Sequence, residues 1–317
     1  MFKQHFDNLH FSLAIVLIAL SFCSPIHAQT SKAQAKQVSA LIKQIRKINQ
    51  PDAFGEYTHK LRIAGKQIDQ NNEEKSFSYF YETFLPTQMP KTRLARLPLI
   101  LIERDGRQFE ASEIEVQQKN AAQILAEVDR SAPVNQKKAP FISTADKNGY
   151  YTFVFQPYGA SSFGSGNFVI NISQFLKGGE FSNQRQIQFE GRETILLDFR
   201  ARPKFKFDEE MKYFSKLEGT VWIDSADKRV VRLEGFPLGQ LVSPSPDNQN
   251  ERETQAAVLY NQIRVSDGFW FPQKARLNGI RNPEIFEKTA GFELEMIFSD
   301  YQRFQAQPAA TGSLAAF

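Results

Sequence analysis

Two periodicities divide this chain. Between residues 29 and 50, Val38, Leu41, Ile42, Ile45 and Ile48 recur three and four positions apart, with Lys and Gln between them. That spacing predicts an amphipathic helix; Ser31 stands where it can cap the start, and Pro51 stops it. The period then falls to two. In residues 56–63 the odd positions, Tyr57, His59, Leu61 and Ile63, are aromatic or aliphatic and the even ones polar, the pattern of a half-buried strand. Residues 76–84 are aromatic on both faces and predict a strand covered on both sides. A further strand at 96–103 runs into an Asp105-Gly106 turn, and residues 111–130 form a second helix with Ile114, Ala121, Leu125 and Val128 on one stripe.

From Tyr150 onward the chain reads as strand and turn. Extended segments at 150–156 and 167–172 flank a Gly-Ser loop at 158–166. Segments 184–189 and 193–200 meet at Glu190-Gly191, and 220–224 and 229–234 meet across residues 225–228. Segment 254–265 turns at Ser266-Asp267-Gly268 into 269–277, and a last pair of extended segments covers 286–304. Sequential hairpins of this kind make an antiparallel meander. Two polar stretches, 243–252 and 305–317, read as unstructured. The fold class expected is mainly β with a few helices. The organisation expected is a signal peptide at 1–28, one β domain at 29–304 and a disordered tail at 305–317.

The N-terminus decides the compartment. Lys3 and His5 precede an apolar run at 11–23, which Ser24-Pro25-Ile26-His27-Ala28 closes with small residues, the three-part layout of a secretory signal peptide. The run is about a dozen residues, whereas a bilayer span needs about 20. Cleavage after about Ala28 and a soluble periplasmic protein are therefore expected. Lipidation of Cys23 is the alternative, and the bulky Phe22 before it argues against that.

Cleavage removes the one cysteine and three of the four histidines, leaving His59. No disulfide can then form, and His- or Cys-based metal and haem sites lack ligands. No cofactor and no metal are expected. A net charge of +4 is far from the footprint of a nucleic-acid binder.

Candidate chemistry is correspondingly sparse. The loop at 158–166 lacks the Lys-Ser or Lys-Thr ending of a phosphate cradle. Asp198, Asp224 and Glu234 are carboxylates in or beside strands, each with Arg nearby, and ion pairs or turn hydrogen bonds are the expected roles. His59 lies on the apolar face of its strand and is expected to be a satisfied inward-facing residue. Arg200, Arg202, Lys204 and Lys206 alternate with Phe199, Ala201, Phe205 and Phe207. An extended ribbon of this kind suits anionic lipid headgroups or a protected sheet edge. The 29 Phe residues need either a compact core or a curved sheet around a greasy hollow. For the hollow, the lining candidates are Tyr57, Leu61, Phe77, Tyr79, Phe153, Phe155 and Trp222.

Residues 191–199 (GRETILLDF), 219–224 (GTVWID) and 231–235 (VRLEG) resemble uncharacterised secreted proteins similar to outer-membrane lipoprotein-sorting proteins. Residues 267–272 (DGFWFP) and 298–301 (FSDY) fit the same pattern, as do the N-terminal helix and the Asp105-Gly106 hairpin. The resemblance implies a curved antiparallel sheet, an unclosed β-barrel with helices covering the concave side, whose hollow receives acyl chains. It also implies lipid or lipoprotein acyl chains as partners, with an inner- or outer-membrane protein as a further one. Three readings stay open: a non-catalytic periplasmic lipid or lipoprotein carrier, an envelope interaction protein with a filled core, and a carboxylate hydrolase.

Overall fold

The computed structural model describes residues 32–48, 53–68, 71–85, 97–130, 147–148, 150–155, 168–241, 243–286 and 291–304. The expected signal peptide (1–28), Gly-Ser loop (158–166) and C-terminal tail (305–317) lie outside the described residues. The chain divides into two compact units, 1–37 and 38–317; the sheet and its core belong to the second. Among the described residues, no helix is long and apolar enough to cross a membrane.

Eleven strands form one open antiparallel sheet. In chain order these are β1 (Tyr57–Ile68), β2 (Glu74–Thr83), β3 (Leu99–Arg104), β4 (Arg107–Gln108), β7 (Gly179–Phe189), β8 (Arg192–Ala201), β9 (Leu217–Asp224), β10 (Val230–Pro237), β11 (Val258–Arg264), β12 (Trp270–Asn278) and β13 (Phe292–Arg303). A separate hairpin pairs β5 (Phe153–Phe155) with β6 (Phe168–Ile170). The sheet order is β4-β3-β2-β1-β13-β12-β11-β10-β9-β8-β7. The predicted meander is present, and its first long strand pairs with its last, Leu61 opposite Phe298. β4 and β7 are left as edges, so the sheet does not close on itself.

Among the described residues four helices accompany it: α1 (Lys32–Ile45), α2 (Ala111–Arg130), α3 (Ile172–Gly178) and α4 (Gln249–Gln255). The α1 residues Val38, Ile42 and Ile45 are buried, as their spacing requires. Asn148 holds the end of this helix by donating to Arg46 O at 2.7 Å and Ile48 O at 3.0 Å. α2 lies against β3 where β4 has stopped pairing. There the Gln117 amide takes the place of a neighbouring strand, accepting from Leu101 N and donating to Leu101 O, each at 3.0 Å.

Alternation sorts the side chains onto two faces. The inner face carries Leu61, Ile63, Leu197, Val221, Leu233 and Met296, all in one continuous apolar core. The outer face carries a small cluster of Leu196, Trp222, Val231 and Trp270 beside charged residues. In β9 and β10 every residue is buried, so both faces are covered there.

Three local readings are corrected. Residues 243–252 are not unstructured: Ser245 and Asn248 form a capping box, with Ser245 N donating to Asn248 Oδ1 at 2.9 Å, and Pro246 occupies the first helical turn. That arrangement starts the turn that runs into α4, which also shortens the strand expected from Thr254. Among the described residues of 286–304 there is one strand, β13, rather than two. The segment after β6 turns helical at Ile172 because Asn171 Oδ1 accepts from Gln174 N at 2.9 Å, a cap whose signal the apolar run hid.

Candidate functional site

The inner face is covered unevenly. Around β8–β12 it is closed by the β5–β6 hairpin, α3 and a 3-10 turn at Glu209–Lys216. Phe153 and Phe155 are 0% exposed there; Phe153 packs edge-on against Tyr260 and Phe298, with ring centroids 5.6 and 6.0 Å away. Around β1–β3 the cover is thinner. Leu61 and Ile63 are buried, but the rings beside them on β2, Phe77, Tyr79 and Tyr81, are only half-buried.

Those three rings form a ladder. They occupy alternate positions of β2, so they point to one face over about 13 Å of strand. Phe77 and Tyr79 have centroids 5.6 Å apart, and Tyr79 and Tyr81 6.3 Å. Phe77 lies over its cross-strand partner Gly65, where a Cβ would come within 2.4 Å of the ring. A residue without a side chain is what lets the ring lie flat on the strand. The Arg104 guanidinium sits 5.4 Å from the Tyr79 ring, and burial pushes the Tyr81 phenol pKa up.

At the start of β1 the buried Tyr57 donates its hydroxyl to Asp267 Oδ2 at 2.7 Å. Burial and this carboxylate push its pKa up to about 12. A cleft of about 360 Å³ opens beside Tyr57, with Asp267, Tyr301 and Arg303 in its wall. His59 faces inward as expected. Its ring packs against Phe54 at 4.6 Å and stacks on Tyr301 at 5.7 Å, and the Thr83 hydroxyl accepts from His59 N at 2.8 Å.

The structure thus brings Tyr57, Leu61, Phe77, Tyr79, Phe153 and Phe155 to one face and one core. Trp222 is on the other side of the sheet, against Leu196, Val231 and Trp270. Its register explains this: Leu233 pairs with Val221 on the inner face, while Arg232 pairs with Trp222. Composition marked Trp222 as aromatic and in a strand; only pairing fixes which face a strand residue takes.

The outer face holds the carboxylates singled out in the sequence. Glu234 is 1% exposed and is clasped by two buried arginines. Arg232 Nε and Nη2 donate to its Oε1 at 2.7 and 2.5 Å, and Arg252 Nε and Nη2 to its Oε2 at 2.9 and 2.6 Å. Arg232 also reaches Glu253 Oε1 at 2.7 Å. Asp224 accepts from Arg192 Nε at 2.5 Å and from the amides of Ala226 and Asp227. Burial raises the Asp224 carboxyl pKa, yet Arg192 and the amides outweigh it and hold the group below the usual range. Asp198 pairs with Arg185 and Asn183. All three carboxylates are occupied by arginine. Arg252, which completes the cluster, was missed because its segment read as a loop.

The basic segment is not one ribbon. β8 ends at Ala201; Arg200 belongs to the strand and pairs with Glu218 at 2.7 Å, whereas Arg202, Lys204 and Lys206 lie in an exposed loop.

No protein-family model matches the chain, and no curated protein does. Solved structures do. An outer membrane lipoprotein-sorting protein domain from Vibrio parahaemolyticus aligns over 84% of this chain and 92% of its own, at 10% identity and a TM-score of 0.33. A LolA superfamily protein from Nitrosomonas europaea aligns over 84% and 93%, at 10% identity and a TM-score of 0.27. A DUF1329 family protein from Desulfovibrio piger aligns over 85% and 92%, at 7% identity and a TM-score of 0.31.

Proposed function

We propose that this chain is a non-catalytic periplasmic lipid- or lipoprotein-binding protein that takes an acyl chain against the aromatic ladder of β2. The observation that carries the reading is the half-buried run Phe77-Tyr79-Tyr81 beside buried Leu61 and Ile63. Elsewhere the inner face is already filled by the protein's own side chains. An acyl chain laid along the ladder gains about 25 cal/mol for each Å² of apolar surface removed from water. Phe153 and Phe155 belong to the β5–β6 hairpin itself, lie deeper in the same core as Tyr57, and would meet a ligand only if that hairpin moved. The signal peptide supplies the compartment.

The test is titration of the mature protein with a fluorescent fatty acid. Phe77→Ala and Tyr79→Ala should each weaken uptake by about tenfold, the loss expected for one partly buried ring. Trp222→Phe, on the opposite face, should leave it unchanged. Equal losses in all three variants, or no uptake by the wild type, would sink the proposal.

One observation favours the rival reading, an interaction protein with a filled core: the zero exposure of Phe153 and Phe155. Native mass spectrometry of protein purified from the periplasm without detergent separates the two. A stoichiometric lipid supports the carrier, and bare protein that also refuses fatty acid supports the rival.

A further inference from the structure

One end of the sheet carries two tight turns of the same type. At the end of β8, Phe205 N donates to Arg202 O at 3.1 Å, closing a turn with Pro203 and Lys204 in the middle. Lys204 has φ +65°. At the end of β10, Gln240 N donates to Pro237 O at 3.1 Å, with Leu238 and Gly239 in the middle and Gly239 at φ +82°. A positive φ at the third position defines a type II turn, and glycine or asparagine is the residue that suits it. Gly239 obeys that rule. Lys204 breaks it, so the chain accepts backbone strain to hold a lysine at an apex.

The two turns are neighbours. β8 and β10 flank β9, so their ends stand about 10 Å apart. Leu238 N donates to Lys216 O across one gap, and Arg202 N donates to Gly178 O at the next strand end. The buried Glu218 binds the ends together. Its Oε2 accepts from Arg200 Nε at 2.9 Å, while its Oε1 accepts from Gly239 N at 2.7 Å and Leu241 N at 3.2 Å. The result is an apolar apex, Leu238, 57% exposed, beside a cationic one. Between Arg200 and Lys216 the sequence has six cations against three acids. Of those acids, Asp208 accepts from Gln174 and Glu209 faces Lys212.

We infer that this end of the sheet docks on an anionic bilayer surface, with Leu238 entering the acyl boundary and Arg202, Lys204 and Lys206 meeting headgroups. A single exposed leucine is common on soluble proteins. Here it is fixed by a buried carboxylate at the level of a strained lysine, and the net positive charge around it complements anionic lipid. This goes beyond the acyl site, which lies on the inner face at β1–β3, and either proposal can fail alone.

The experiment is flotation of the full mature chain with phosphatidylglycerol vesicles diluted in phosphatidylcholine, against vesicles of phosphatidylcholine alone. Binding should require phosphatidylglycerol and fall as salt is raised. Leu238→Ser should weaken it about tenfold or more, the loss expected for one leucine side chain. Lys204→Gly should weaken it about fivefold, the loss expected for one interfacial charge. That variant relaxes the turn, so a lysine with only a structural role would give undiminished binding and a higher unfolding midpoint. Lys75→Gln, on β2, should bind as the wild type does. Equal binding to both vesicle types, no binding to either, or indifference to Leu238→Ser and Lys204→Gly would overturn the inference.

Discussion

β8, β9 and β10 bury two faces that could hardly differ more. Toward the inner side they present Leu197, Val221, Ile223 and Leu233 to a continuous apolar core. Toward the outer side the same strands present Glu218, Asp224, Arg232 and Glu234, also buried. The inner face is held by non-directional burial and tolerates any well-packed apolar shape of similar volume. The outer face is held by geometry. Arg232 lies 5.4 Å from the Trp222 ring and Arg252 4.8 Å from the Phe236 ring, and both grip one carboxylate. A buried charge contributes only while its partner is in place. We draw from the contrast that the inner face supplies stability and the outer face fixes register and the seat of α4.

The largest effect should come from Glu234→Ala. It leaves Arg232 and Arg252 buried without their shared carboxylate, and should cost about 3–5 kcal/mol in urea unfolding. The comparison sharpens with a triple variant, Arg232→Met, Glu234→Leu and Arg252→Met. It should cost less than the single change; a larger loss would mean the cluster is a net source of stability. On the inner face, Phe153→Ala should cost about 3–5 kcal/mol through the cavity it leaves, and a filling Phe153→Leu much less.

The faces should also separate by pH. Asp224 and Glu253 are held below their ordinary ranges, because arginine and lysine partners and, at Asp224, backbone amides outweigh the raising effect of burial. Their folded values lie below the unfolded ones of about 4. The stability they give is therefore present above about pH 5 and lost as pH falls through the folded values. Tyr57 runs the other way. Its pKa is raised to about 12, so its contribution is complete below about pH 10 and is lost as pH rises toward 12. Asp224→Asn should flatten the acid limb of the urea midpoint and leave the alkaline limb alone. A change in both limbs would break the separation. The smallest effect expected is from Gln117→Ala, which uncovers the β3 edge for about 1–2 kcal/mol and should show as faster amide exchange at Leu101.

Much of the fold was legible because it rests on local signals. The helix at Lys32–Ile45 and the hairpin turns at Glu190-Gly191 and Ser266-Asp267-Gly268 were readable from periodicity and turn residues. The site was less legible. Tyr57 and Leu61 come from β1 and Phe77 and Tyr79 from the next strand; alternation grouped Phe77 with Tyr79, but the β1–β2 pairing brought the two sets to one face. Phe153 and Phe155 reach the same core from a hairpin outside the main sheet, which no local pattern predicts. Residues 243–252 misled because proline and polar residues serve a loop and a helix start equally well.

The sequence by itself determined most of the strand segments, which positions alternate, and that residues 29–317 carry no cysteine and one histidine, His59. Those are one-dimensional properties, set by spacing and composition. Only the tertiary structure decided that β1 closes against β13, that Trp222 faces away from the aromatic core, and that Arg252 completes a buried ion cluster with Glu234. Each depends on strand register or on contacts between residues far apart in the chain. A one-residue difference in register exchanges the faces of a strand without changing any local pattern.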